Sequence, residues 1–218
     1  MAWEIFQRAA GKYEGWYATR RGRRADIAER SLLEWLLRGI PEARIILEVG
    51  SGTSHFTGWL AESGFQAVGL DRAPAMLTEA RRSFRSLPFV LGDAHRLPFR
   101  TAAVDVVVFI TTLEFLESAA AALREAVRVA RRGVVAIVLN RRSLGGLSRR
   151  FGPQSRGALL GAARDYSLRR LRNEVRDAAG ARLAAIRWSS TLFPDGLWNL
   201  KLPVAFGDVV GLAASLRV

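Results

Sequence analysis

The sequence predicts an α/β fold: a doubly wound, mostly parallel seven-stranded sheet with an antiparallel last strand, covered on both faces as a three-layer α/β/α sandwich. Three observations carry this. Between residues 44 and 139, short apolar runs alternate with amphipathic stretches of helical period, the pattern of strands buried on both faces. The first run leads straight into a glycine-rich turn, Gly50-Ser51-Gly52, where backbone can approach a ligand. The second ends on an acid, Asp71, and open sheets of this kind bind ligands at the carboxyl ends of their strands.

The elements follow in order. The first 30 residues are aromatic and basic: Trp3, Phe6, Tyr13, Trp16 and Tyr17, then Arg20-Arg21-Gly22-Arg23-Arg24. From Ala25, Ile27, Leu32, Leu33, Leu36 and Leu37 recur at helical spacing until Gly39 and Pro41 stop them. Residues 1–40 are therefore expected as a helical and aromatic cover, and 41–218 as the main domain. Strands are expected over 44–49, 66–70, 88–91, 104–110 and 133–139. Helices are expected over 54–62, from Pro74 (proline is tolerated in a first helical turn) and over 119–130. The stretch 140–165 is rich in Gly, Ser and Arg and reads as a substrate-side insertion. A helix over 166–179, ended by Gly180, a strand over 182–190, a turn at Phe193-Pro194-Asp195-Gly196 and a last strand over 209–218 complete the chain.

Composition narrows the function classes. There is no cysteine, which excludes disulfides and thiolate chemistry, and with only His55 and His95 no metal site is expected. The longest run free of Asp, Glu, Lys and Arg, Val49 to Ala61, holds three glycines and is too short to span a membrane. No basic stretch followed by an apolar one opens the sequence, so no secretory signal is expected and a cytoplasmic location is the default. The net charge is +13, nearly all of it arginine, and it is clustered. Residues 8–30 carry seven Lys/Arg against three acids, and residues 141–180 ten Arg against three. Such basicity suits an anionic substrate, nucleic acid or a lipid surface, or else a solvated arginine-rich exterior.

The motif Glu48-Val49-Gly50-Ser51-Gly52-Thr53-Ser54 leaves a strand and enters a helix, whose unpaired N–H groups suit a phosphate or a carboxylate. A dinucleotide fingerprint needs glycine at position 55, and His55 stands there instead. Asp71 lies 21 residues after Gly50, where a carboxylate can accept both hydroxyls of a ribose.

With these motifs in order, the string ILEVGSGTS…VGLDRAPAML…FVLGDAHRLPF…VDVVVFITTLEFLES…ALREAVRVARRGVVAIVLN resembles the class I S-adenosylmethionine (SAM)-dependent methyltransferases with a Rossmann-like fold, in the branch of small-molecule-type, methyltransferase domain 11-like enzymes. The resemblance runs over about residues 13 to 190 and speaks to fold and cofactor, not to substrate. It implies SAM as cofactor and S-adenosylhomocysteine as product. It implies that Glu48, Gly50, Ser51 and Gly52 surround the methionine part and that Asp71 holds the ribose. Arg72 and Met76 would lie beside the adenine, Asp93 and Ala94 at its amino edge, and Ile110 and Thr111 beside the sulfonium. Ser54 stands where the family often has a third glycine, and a serine there is expected to cap the helix that follows. Tyr17 and Arg20 match an opening segment that folds over the cofactor, or else pack as part of an N-terminal arm.

Glu114 follows the fourth strand and is the one candidate for a catalytic base, with an ordinary helix-start acid as the alternative. His55 and His95 read as structural. The acceptor is expected to be a small molecule, with Arg141, Arg142, Arg149 and Arg150 drawing an anionic one to the mouth of the site. Nucleic acid is the alternative acceptor, using the same arginines, and a non-catalytic SAM- or polyanion-binding protein is the alternative from another class. Oligomeric state is not legible from the sequence.

Overall fold

Five β-branched side chains and Phe109, with one Asp among them, make Val104–Ile110 a strand (β4) that is buried along its whole length. In a computed structural model, described over residues 2–141, 143, 163–164, 166–193 and 198–217, it lies at the centre of a seven-stranded sheet. The other strands are β1 (Ile45–Val49), β2 (Gln66–Asp71), β3 (Phe89–Leu91), β5 (Ala130–Leu139), β6 (Leu183–Thr191) and β7 (Val209–Leu216). Their order across the sheet is β3-β2-β1-β4-β5-β7-β6. The first five are parallel, and β7 runs antiparallel to both of its neighbours. Asp105 ties the centre together, its Oδ2 accepting the Arg44 and Ile45 N–H groups at 2.9 Å each.

Helices cover both faces, as the expected three layers require. α5 (Ala119–Val129) and α6 (Leu168–Ala179) bury Ala122, Leu123, Leu171 and Val175 on one face. α2 (Arg20–Leu37) and α3 (His55–Glu62) bury Leu32, Leu36, Phe56 and Leu60 on the other. α2 starts at Arg20 rather than Ala25, because the Thr19 side chain caps it by accepting the Gly22 N–H at 3.0 Å. α5 passes directly into β5, which begins three residues before the expected Gly133.

The N-terminal cover holds a further helix, α1 (Ala2–Tyr13), followed by a 3₁₀ turn at Glu14–Trp16. Ala10 is buried with Ala73 and Met76, and Trp3, Phe6 and Tyr13 pack against them. This seats α1 on α4 (Pro74–Ser83). Most of the 140–165 stretch, with Arg142, Arg149 and Arg150, and the Pro194–Gly196 part of the expected turn lie outside the described residues.

β1 is the switch point of the sheet, since the chain moves one way to β2 and β3 and the other way to β4 and β5. The loops after β1 and β4 therefore leave in different directions and open a crevice between them.

Candidate cofactor and acceptor site

A cleft of about 750 Å³ lies at that crevice. The strand ends form one wall, and Trp3, Phe6 and Tyr13 of α1 form the other.

The strand wall is shaped by backbone. Gly50 has φ +74 and Gly52 has φ +54, angles that L side chains resist. A Cβ on Gly50 would sit 2.3 Å from Thr112 Cγ2, so the turn has no room for one. The Gly50 and Ser51 N–H groups donate to the Leu70 carbonyl at 2.7 and 3.0 Å, fixing the turn to the end of β2. Asp71 Oδ2 accepts the Gly52 N–H and Oδ1 the Ala73 N–H, each at 2.8 Å. Burial raises the Asp71 carboxyl above the usual aspartate value, and the bonds from Ala73, Gly52 and Arg72 oppose that rise. Each oxygen keeps a second lone pair.

Ser54 does not cap α3. It sits in the left-handed region at φ +68, and its hydroxyl faces Ser51 Oγ at 3.4 Å instead of a helix N–H. The expectation of a serine cap is corrected: a cap needs extended backbone, and this turn requires the geometry that glycine adopts most readily.

At the far end, Asp93 Oδ1 accepts the His95 N–H at 2.9 Å and lies 2.6 Å from His95 Nδ1. The Ser118 N–H donates to His95 Nε2 at 3.2 Å, so the ring proton belongs on Nδ1 and points at Asp93. Burial alone would raise the Asp93 carboxyl, but its bonds to His95 hold it below the usual value. Arg72 lies 3.6 Å from Asp93 and 3.5 Å from Glu117, with its guanidinium 5.6 Å over the Trp3 ring. Met76, Ala94 and Ile110 give the wall between an apolar surface, and Thr111 stands at its edge with φ +46.

Thus Gly50, Gly52, Asp71, Arg72, Met76, Asp93, Ala94, Ile110 and Thr111 come together on the cleft. Glu48, Ser51, Tyr17 and Arg20 do not reach its wall. Glu48 is buried beneath the turn, accepting from the Thr57 hydroxyl, and burial pushes its carboxyl up to about 8. Tyr17 stacks on His55, with ring centroids 3.8 Å apart and planes 5° from parallel. His55 Nδ1 lies 3.3 Å from Glu14 and Nε2 2.9 Å from Asp26, which binds the cover to the first turn of α3. Arg20 is exposed at the start of α2. Glu114 is fully buried, and its Oε1 accepts the Leu139 N–H at 2.6 Å, joining the turn after β4 to the end of β5. Arg141 is exposed just past β5, its N–H bonded to the Tyr166 carbonyl.

Sequence reasoning missed several residues of the site. Thr112 donates to the Ile110 carbonyl at 3.0 Å and fills the space above Gly50. Phe115 meets Phe6 edge-on at 4.9 Å, closing the cleft from the α1 side. Trp3, Phe6, Ala10 and Tyr13 fall at the three- and four-residue spacing of a helix face, a signal that was present. Glu29 of α2 is buried, and burial pushes it up to about 8; among the described residues no hydrogen bond reaches its carboxyl.

Residues 47–138 match the protein family described as "Methyltransferase domain". These residues thus carry the sequence pattern of a methyltransferase domain, on a fold shared with the class I SAM-dependent methyltransferases. The chain is 33% identical over 130 residues to a malonyl-[acyl-carrier protein] O-methyltransferase of Serratia marcescens, covering 60% of this chain and 48% of that protein. It is 36% identical over 88 residues to a demethylmenaquinone methyltransferase of Beutenbergia cavernae, covering 40% of this chain and 37% of that one. The chain thus spans half or less of the length of these relatives. A solved SAM-dependent methyltransferase of Thermotoga maritima, described as a possible histamine N-methyltransferase, superposes on this domain and its flanks with a TM-score of 0.80 at 23% identity, over 99% of this chain and 100% of that one. Magnesium protoporphyrin IX methyltransferase of Synechocystis with bound S-adenosylhomocysteine gives 0.63 at 19%, over 91% and 85%. These two likenesses speak to the fold.

Proposed function

We propose that the chain transfers a methyl group from SAM to a small-molecule acceptor held between the end of β4 and α1. The observation that carries this is Asp71. Its two oxygens are aimed by the Gly52 and Ala73 N–H groups, beside a turn in which Gly52 leaves open space on the cleft. The donor set fits the cofactor. Asp71 can accept two adjacent hydroxyls, Met76 and Ala94 offer apolar surface to a flat base, and Asp93 can accept from an exocyclic amine.

Bound there, SAM supplies an electrophilic methyl group that an acceptor lone pair takes as the carbon–sulfur bonding pair leaves to sulfur. The residues contribute position. Ile110, Thr111 and Thr112 set the floor on which an acceptor would rest, while Phe6, Tyr13 and Phe115 exclude water above it. Alignment at close range supplies a large part of the barrier reduction in such a transfer. Glu114 acts in this reading by holding the β4 turn against β5, since its carboxylate is engaged with the Leu139 N–H. Among the relatives, one is named for malonyl-[acyl-carrier protein] and one for demethylmenaquinone, two unlike acceptors. Arg141 remains the described candidate for meeting an anionic group at the mouth.

Thermal unfolding with added SAM or S-adenosylhomocysteine tests the reading. A ligand bound only by the native state raises apparent stability by about 2.7 kcal/mol at a hundredfold excess over Kd. The wild-type chain is expected to show the shift and Asp71→Ala to lose it, while no shift in wild type overturns the proposal.

A further inference from the structure

We propose that the start of α2 and the loop over residues 198–206 form one docking face for an anionic lipid surface, at the cleft end of the sheet.

The two segments are contiguous. The Arg24 guanidinium lies 5.8 Å over the Trp198 ring, and Lys201 Nζ donates to Ser31 Oγ at 2.8 Å. Arg20, Arg24, Ile27 and Ser31 fall on one stripe of the helix, so the loop lies beside that stripe. Of the six large hydrophobic side chains exposed among the described residues, Ile27, Leu200, Val204 and Phe206 lie on these two segments, with Phe206 at 67% exposure. Scattered exposed hydrophobics need no explanation, but concentration in one region marks an interaction surface.

The apolar side chains are held outward by their own backbone. The Trp198 and Leu202 carbonyls accept from the Leu192 and Ser190 N–H groups at 2.9 and 3.0 Å. The Val204 carbonyl accepts from the Ser190 hydroxyl, and the Ala205 and Gly207 carbonyls both accept from Asn140 Nδ2 at 2.9 Å. With its main chain turned toward the domain, the loop presents Leu200, Val204 and Phe206 to solvent on a fixed platform.

The charge is placed against local stability. Arg20, Arg21, Arg23 and Arg24 are exposed in the first turns of α2, where the helix dipole is positive, and no acid occupies the first turn. Among the described residues no carboxylate lies within ion-pair distance of Arg20, Arg23 or Arg24, and nearby Asp26 is taken by Arg30 at 2.6 Å and His55 at 2.9 Å. An anionic surface supplies the missing counter-charge. The aliphatic Ile27, Leu200 and Val204 favour lipid over nucleic acid, since they neither stack on bases nor bind phosphate. Basic residues and inserted apolar side chains are the two signals that together give stable attachment. No helix among the described residues is long and apolar enough to cross a membrane, so the contact would be peripheral.

The location gives the face a use. α2 runs from this face down to Leu37, ahead of the start of β1, and β7 begins at Val209 opposite Leu139, the end of β5. The face therefore lies at the end of the sheet that carries the cleft, where an acceptor dissolved in lipid would be presented.

The test is flotation of the full chain with vesicles of phosphatidylcholine alone or with about one third phosphatidylglycerol. Wild type is expected to float with the anionic vesicles at least about tenfold more strongly than with the neutral ones. Each basic residue near such a surface strengthens binding by about fivefold, so Arg20→Gln/Arg24→Gln should weaken it about twentyfold. Leu200→Ser/Phe206→Ser should weaken it about tenfold or more, without altering the SAM-induced thermal shift. Equal binding to both vesicles overturns the proposal. So does binding that the serine pair leaves intact, or that a short RNA duplex abolishes at equal charge while itself binding as tightly. Because vesicle binding is read without SAM, its failure is separable from failure of the methyltransferase reading.

Discussion

On the sheet side of the cleft, the contacts that shape the ligand wall run through the backbone: Gly50 and Ser51 to Leu70, Gly52 and Ala73 to Asp71, His95 to Asp93. On the α1 side they run mainly between side chains: Phe6 on Phe115, Tyr17 on His55, Glu14 with His55 and Thr53, with one backbone link from the Ala75 N–H to Gln7. Main-chain N–H groups fixed to the strand ends move only when the sheet moves, whereas a helix seated mainly by side chains can lift by itself. The difference teaches a division of labour. One wall is fixed to the sheet, and the other is held by contacts that can part without opening it.

The sharpest way to break this comparison is Gly50→Ala. A methyl at φ +74 is strained by about 1–2 kcal/mol, and forcing it against Thr112 adds about 1–3 kcal/mol. A loss of about 3 kcal/mol in urea melts is expected, together with loss of the SAM-induced shift. A stable variant that still binds would mean that the turn is not fixed.

Next is pH. Glu29 and Glu48 ionise near 4.5 in ordinary surroundings and are pushed up to about 8 by burial. Between those values the folded chain holds protons that the unfolded chain has released, so stability falls as pH rises from about 5 to 8. His55 acts in the same direction. Burial lowers its pKa, but bonds to Glu14 and Asp26 outweigh this and raise it. Its contribution is full below its ordinary value near 6.5 and is lost as pH rises through the raised one. Melting curves should show a falling midpoint across this window, flattened in Glu29→Gln/Glu48→Gln. A midpoint that rises with pH would contradict the assignment.

On the cover side, His55→Phe keeps the stack on Tyr17 but removes the links to Glu14 and Asp26. It should cost only about 1 kcal/mol, the scale of a few partly exposed polar contacts. Limited proteolysis after Lys12 or Arg20 should quicken while the global melt barely moves. If the melt falls as far as in Gly50→Ala, the two walls are not separable. The smallest effect is Ser54→Gly, which relieves the left-handed strain and should stabilise by about 1 kcal/mol.

Much of this was legible in the sequence because it was local. The strands from β1 to β5 stand out as short apolar runs, and Gly50, Asp71 and Asp93 mark their carboxyl ends. α1 was not placed within the expected cover, although Trp3, Phe6, Ala10 and Tyr13 have helical spacing, because the helical pattern was read only from Ala25. The early start of α2 was hidden by its arginines, which interrupt the apolar pattern while Thr19 supplies the cap. Ser54 was misjudged because residue type favours a cap where backbone geometry forbids one. Glu48 and Tyr17 carry motif positions, yet packing directs both away from the cleft wall, and Thr112 and Phe115 join the site through contacts distant in sequence.

The placement of β7 between β5 and β6 has a consequence for how the chain is made. During synthesis β6 emerges first, and the strand it pairs with comes only after the residues between Thr191 and Val209. Until then β5 also shows a bare edge. The nascent protein thus carries two unsatisfied strand edges at once, a period of exposure to mispairing that closes when a single eight-residue segment slots between them.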